Sequence, residues 1–208
     1  NFNGYGLGWG VSDNQGRRLI AHGGGYDGMY SRVAMMPEEN LGVVVLTNGM
    51  RGISGIITDY VMDRYIGAPE IDHSANALKN LGYGMYDRID RIKSKQVKGT
   101  KPSQRQKAYT GIFYASMYGD VYVKEEQGKL RLEFSHAPLL SATLEHWHYD
   151  TYEVKWDQEH AWFGFGTVQF LMNAQRQITG IRIDVPNNDI FFHELELKKV
   201  ASPSIKNR

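Results

Sequence analysis

At 208 residues, with 41% hydrophobic and 12% aromatic content, the chain is long enough for one large domain or two small ones and too apolar to be disordered. Its 24 basic and 23 acidic residues nearly cancel, so no global field draws it to nucleic acid or to an anionic membrane surface. It has no cysteine, which excludes disulfides, thiolate nucleophiles and zinc–thiolate sites.

The first residues, Asn1-Phe2-Asn3-Gly4-Tyr5-Gly6, carry neither an initiator methionine nor a signal-peptide pattern and read as the interior of a longer chain. A meander of strands is expected over residues 5–48. Residues 5–11 are aromatic and Gly-rich, Asp13-Asn14-Gln15-Gly16 supplies a turn, and residues 17–22 form a second strand. Tyr26-Asp27-Gly28 turns the chain into a third strand at 29–36, closed by Pro37-Glu38-Glu39-Asn40. The continuous apolar character of residues 42–47 implies a strand buried on both faces. It is also the longest apolar run, far short of the roughly 18 residues needed to cross a bilayer. Ile53, Ile56, Ile57, Tyr60 and Val61 recur at helical spacing, with Gly67 and Pro69 ending the helix.

Leu78, Leu81, Met85, Ile89 and Ile92 suggest a second amphipathic helix, interrupted by Gly82 and Gly84. The basic residues at 91–107 read as a solvated linker, since no aromatics are interleaved for stacking on bases. Gly99-Thr100-Lys101-Pro102-Ser103 marks the clearest domain boundary. Beyond it come short alternating runs at 121–124, 130–134, 152–156, 161–165, 168–172, 178–184 and 190–197. Regular turns between them indicate an antiparallel barrel or sandwich.

The segment with chemical content is His22-Gly23-Gly24-Gly25-Tyr26-Asp27-Gly28, preceded by Tyr5-Gly6-Leu7-Gly8-Trp9 and followed by residues 37–48. A histidine at a strand end running into three glycines leaves backbone N–H groups open to close approach by a ligand. Such amides can cradle an anion or the oxyanion of an acyl-transfer intermediate, and the imidazole can donate a hydrogen bond or a proton. Gly23-x-Gly25-x-x-Gly28 also matches a dinucleotide fingerprint, but it opens into a strand rather than a helix, which removes the context that phosphate binding needs.

Together these segments resemble the C-terminal part of the serine β-lactamase and penicillin-binding-protein superfamily, in its class C-like and esterase-like branch, over residues 4 to about 66. The resemblance implies that His22-Gly23-Gly24 is the H-x-G variant of the family's K-T-G motif, with His22 as its cationic or hydrogen-bonding residue and Gly24 as its closing glycine. It also implies that the backbone N–H of Gly25 is one oxyanion-hole donor. The family's other motifs are missing: no serine has a lysine three positions on, and no Tyr-x-Asn occurs. Covalent catalysis needs a nucleophile and a base within hydrogen-bond reach, so the chain alone is expected to be inert. The expected partner is the portion of the β-lactamase-like domain that carries those motifs.

Tyr109-Thr110-Gly111-Ile112-Phe113-Tyr114, Tyr118-Gly119-Asp120-Val121 and residues 144–152 look like the lipocalin-like domain of unknown function appended to many such hydrolases. The expected fold is therefore α+β. A partial antiparallel sheet with a packed helix occupies 1–68, a helical segment and linker 69–104, an all-β lipocalin-like barrel 105–199, and a tail 200–208. The alternative to a hydrolase fragment is a non-catalytic barrel that binds a small ligand or serves a structural role. A truncated sheet with an uncovered face would also favour homo-oligomers. Export to the periplasm or cell surface is what the resemblance implies.

No cofactor is expected. His146 and His148, two apart on a strand, point the same way and are the only metal candidates, with Asp150, His136 or His160 to complete a site; a polar rim is the plainer reading. Trp147, Tyr152, Trp156, Trp162, Phe163 and Phe165 are expected to fill the barrel rather than line a pocket.

Overall fold

A computed structural model describes residues 2–26, 28–49, 52–79, 85–160, 163–187 and 190–201. The chain divides into two compact units, Asn1–Leu81 and Gly82–Arg208.

The first unit is a five-stranded antiparallel sheet in sequential order: β1 (Asn3–Gly6), β2 (Trp9–Asn14), β3 (Arg17–Tyr26), β4 (Met29–Met36) and β5 (Leu41–Thr47). The turns at Leu7-Gly8 and Gln15-Gly16 have positive φ at both residues, the geometry whose twist matches that of two-residue hairpins. A 3-10 turn at Pro37–Glu39 joins β4 to β5, braced by contacts of Arg17 with Glu39 and of Arg18 with Glu38.

Strand register decides which residues meet. Leu19, Ala34 and Met36 share the face that receives α1 (Ile53–Tyr65), where Met62 completes a small buried cluster with Ala21, Leu41, Val43 and Ile66 packed around it. The helix α2 (His73–Lys79) follows, its His73 Nε2 2.8 Å from the buried Asp63 carboxylate of α1. The opposite sheet face is open within this unit. Val44 is 62% and Leu46 77% exposed, so β5 alternates rather than being buried on both sides as its apolar run implies. The run is continuous because both faces are apolar, yet only one carries a helix.

The second unit begins with α3 (Met85–Ser94) and α4 (Gln106–Tyr109). The single helix expected around 78–92 is thus represented by α2 and α3, with residues 80–84, including Leu81, Gly82 and Gly84, outside the described residues. There follow β6 (Gly111–Ala115), β7 (Gly119–Glu126), β8 (Lys129–Phe134), β9 (Ala137–His148), β10 (Thr151–Trp156), β11 (Thr167–Met172), β12 (Ile178–Asp184) and β13 (Leu197–Val200). Each pairs antiparallel with the next, and β13 pairs with β6 to close an eight-stranded barrel. Closure leaves no free edge among these strands.

Inward positions alternate along β8 and most of β10, and with the buried side chains of the other strands they fill the interior. Val121, Val123, Leu132, Val154, Val168 and Ile183 are almost wholly buried. Tyr109, Tyr152 and Phe170 pack edge-to-face at the end where β9 turns into β10. Trp156, Phe163, Phe192 and Phe134 pack together at the other end. Two expected strands differ. Residues 163–166 are not in a strand, and the last strand lies at Leu197–Val200 rather than 190–197. Asn187 accounts for the second: its side chain bonds both backbone groups of Ile190, and a 3-10 turn at Phe192–Glu194 then tucks Phe192 into the core.

The basic segment before the barrel is tied to it. Gln96 Nε2 donates to the Trp147 carbonyl at 3.1 Å, Val97 N–H to His148 Nδ1 at 3.1 Å, and Tyr149 N–H to Thr100 Oγ1 at 2.9 Å. Ser103 donates to Asp150 from both N–H and Oγ at 2.9 Å, and Tyr109 donates to the same carboxylate. The residues 99–103 that read as a boundary therefore lie within the second unit, held to the β9–β10 turn. Of the expected tail, residues 202–208 lie outside the described residues.

Candidate functional site

The pairing of β3 places the glycine run. β2 follows β3 only as far as Gly10 opposite Ala21, whereas β4 follows it from Ile20 to Tyr26. From His22 onward, β3 therefore has a paired strand on one side only, and one edge of His22-Gly23-Gly24-Gly25 carries backbone groups without a ladder partner among the described strands. The glycines are not equivalent. A Cβ at Gly23 would come within 3.1 Å of the Tyr30 hydroxyl and 3.3 Å of the Ser31 carbonyl, so close approach of β4 favours glycine there. A Cβ at Gly24 would meet nothing within 4 Å. Packing therefore explains Gly23 and does not explain Gly24.

His22 is exposed, and its Nε2 lies 3.1 Å from the hydroxyl of Tyr5, with ring centroids 6.0 Å apart. Tyr5 sits inside the aromatic Gly-rich motif, but sequence alone does not reveal this contact. It follows from two registers, Tyr5 opposite Gly10 and Gly10 opposite Ala21, which set the tyrosine one residue from the histidine. A shallow concavity of about 520 Å³ borders the pair, lined among others by Ser12, Ala21, Gly23 and Arg32. Gly24 and Gly25 are not part of its lining. Arg32 reaches toward Asp59 on α1 at 4.0 Å. Burial pushes the Asp59 carboxyl up, against the pull of Arg32 and His73.

This arrangement offers backbone donors at an open strand edge and an exposed imidazole steadied by a phenol. It offers no activated nucleophile. The first lysine in the sequence is Lys79, and the Ser31 hydroxyl donates to the Gly24 carbonyl at 3.2 Å. One Tyr-x-Ser does occur, Tyr114-Ala115-Ser116, but it belongs to β6 of the barrel and the turn after it.

The other candidates resolve into packing. His146 Nε2 meets the Tyr149 carbonyl at 3.0 Å, while His148 Nδ1 accepts from Val97 N–H. Asp150 is occupied by Ser103 and Tyr109, and His160 stacks on Phe163 with centroids 4.7 Å apart. Among the described residues no group of three or more His, Asp or Glu side chains is placed to hold a metal. Tyr152, Phe163 and Phe165 are buried, Trp156 packs against the barrel core, and Trp147 lies edge-to-face with Phe165. Trp162 lies outside the described residues. Gly28 leads directly into β4, so the Gly-x-Gly-x-x-Gly match precedes a strand, as expected.

Comparison with known proteins assigns the two units separately. The beta-lactamase family matches residues 2–63, and the domain of unknown function DUF3471 matches residues 95–199. No curated protein matches. Among solved structures, the octameric penicillin-binding protein homologue from Pyrococcus abyssi is 17% identical, covering 95% of this chain and 37% of its own, with a TM-score of 0.31. SurE with D-Leu is 13% identical, covering 89% of this chain and 39% of that one, with a TM-score of 0.35. A second SurE structure is 11% identical over 94% and 37%, with a TM-score of 0.36. The chain thus spans less than two fifths of the length of these structures.

Proposed function

Starting from a chain that belongs to the DUF3471 family and carries a beta-lactamase family segment ahead of that domain, we propose that its first unit is one wall of an acyl-transfer site in a serine β-lactamase-like hydrolase. The observation that carries this reading is the open edge of β3 from His22 onward, beside an exposed imidazole. In the proposed site the Gly25 N–H donates to the oxyanion of a tetrahedral intermediate. His22, steadied by Tyr5, donates a hydrogen bond or proton to the reacting group, and Gly24 keeps the edge free of side chains. The serine nucleophile and its lysine base come from a polypeptide segment with the S-x-x-K motif that this sequence does not contain. The reaction class is hydrolysis of a β-lactam, peptide or ester through an acyl-enzyme. Export to the periplasm or cell surface goes with this reading, and cell fractionation tests it.

A chromogenic β-lactam and a nitrophenyl ester, offered to this chain alone and to the chain joined to an S-x-x-K-bearing β-lactamase segment, test the proposal. Turnover is expected only in the joined protein, and His22→Ala should lower its kcat/KM by about a hundredfold. Turnover by the chain alone, or indifference to His22→Ala, removes the reading. The rival reading, a non-catalytic binding module, loses its natural pocket because side chains fill the barrel interior. Any ligand of the second unit would then sit on its outer surface.

A further inference from the structure

A concavity on the outer surface of the barrel combines apolar, aromatic and charged side chains. A half-enclosed cleft of about 650 Å³ lies against β6 and β13, a volume in the range of small-molecule sites. One wall is Tyr114 of β6 with Met117 and Tyr118 of the turn that follows; the other is Ile190 and Phe191. Met117 is 83% exposed and Phe191 50%, so large apolar and aromatic surface is left facing water. Glu194, Glu196 and Lys198 also line the cleft.

Several charges on the barrel are paired. Glu133 meets Lys124 at 2.6 Å, Asp184 meets Arg88 at 2.8 Å, and Asp157 is paired with Arg131. Among the described residues, the side chains of Glu194, Glu196 and Lys198 take part in no hydrogen bond or ion pair. Two carboxylates against one ammonium leave the cleft with an excess of negative charge. The aromatic side chains of Tyr114, Tyr118 and Phe191 in the lining offer a second attraction for positive charge, because the ring quadrupole is negative above the ring. Carboxylates and aromatic side chains in one cleft are what a cation on an apolar stem requires.

We propose that this cleft binds a small organic cation, an ammonium or guanidinium group carried on an alkyl or aryl body. The apolar body lies on Met117 and Phe191, and the cation meets Glu194 and Glu196 while the aromatic rings exclude water. The site is independent of the acyl-transfer reading, since it uses no residue of the first unit.

Methyl NMR of the methionines in the full chain tests it, with Met117 assigned through Met117→Leu and with phenethylammonium and neutral phenylpropanol as matched probes. Phenethylammonium should shift the Met117 methyl saturably at up to about 10 mM, and phenylpropanol should bind at least about tenfold more weakly. Glu194→Gln/Glu196→Gln, a surface change that leaves the barrel core untouched, should weaken the cation by about tenfold and leave phenylpropanol unaffected. Phe191→Ala should weaken both probes. Equal binding of the two probes, insensitivity to the double substitution, or no Met117 shift in that range would each overturn the proposal.

Discussion

Leu46 and Leu132 both lie on β-strands that alternate in burial, yet Leu46 is 77% exposed and Leu132 is fully buried. The difference lies in how each sheet deals with its second face. The first unit lays one helix on one side of an open sheet of five strands and leaves the other side uncovered. The second curls eight strands until the sheet covers itself, so its inward face and both outermost strands are used up. Among the described residues its buried cluster is accordingly large, where that of the first unit has four members. A closed barrel is self-sufficient, whereas a half-covered sheet is suited to complete something else.

The sharpest way to break this comparison is at the barrel core. Phe113 is fully buried and packs edge-to-face on Phe170. Phe113→Ala should cost about 3–5 kcal/mol, read by urea unfolding of the full chain followed by tryptophan fluorescence. A cost below about 1 kcal/mol would mean that the interior tolerates a void, and the contrast with the first unit would dissolve.

A smaller effect is expected where the basic segment is tied down. Burial works against the charge on Asp150, but hydrogen bonds from Tyr109 and Ser103 outweigh it and hold the carboxyl below its ordinary range. A lowered folded pKa means stability that is fully present above the unfolded value near 4 and is lost as pH falls through the folded one. Asp150→Asn should therefore cost about 1–2 kcal/mol at neutral pH and should flatten part of the acid limb of the stability curve. Part of that limb should survive, because Arg131 pulls Asp157 down to about 2 and its contribution is lost between pH about 4 and 2. If Asp150→Asn leaves both midpoint and acid limb unchanged, the segment at 96–110 is a solvated linker after all.

What could be read from the sequence divides along the same line. Local signals carried well. Gln15-Gly16 and Gln127-Gly128 are turn pairs with positive φ at both residues, and the alternation at 121–124 and 130–134 falls in β7 and β8. The His-Gly-Gly-Gly run is visible because its chemistry lies in consecutive residues. Long-range pairing was not legible. Ser103 and Asp150 meet across 47 residues, so a Gly-Pro-Ser stretch that reads as a linker proves to be held. Tyr5 and His22 meet only because two registers set them side by side. The exposure of Val44 and Leu46 escapes the sequence for a related reason: apolar content predicts that a face wants cover, not that the cover is present in the same unit.

The smallest expected effect follows from that point. Leu46→Lys places a charge on the open face of β5, and an exposed substitution should change the unfolding free energy of this chain by no more than about 0.5 kcal/mol. The same change on a covered face would bury an unpaired ammonium and cost several times as much. Thermal unfolding at two protein concentrations, with size-exclusion chromatography alongside, separates the cases. Near-neutral, concentration-independent behaviour means the face is free in the isolated chain, as the proposed acyl-transfer wall requires. A large loss of stability, accompanied by a shift from a larger species to monomer, would mean that a second copy already covers it. The open face of the first unit would then be covered by assembly of like chains.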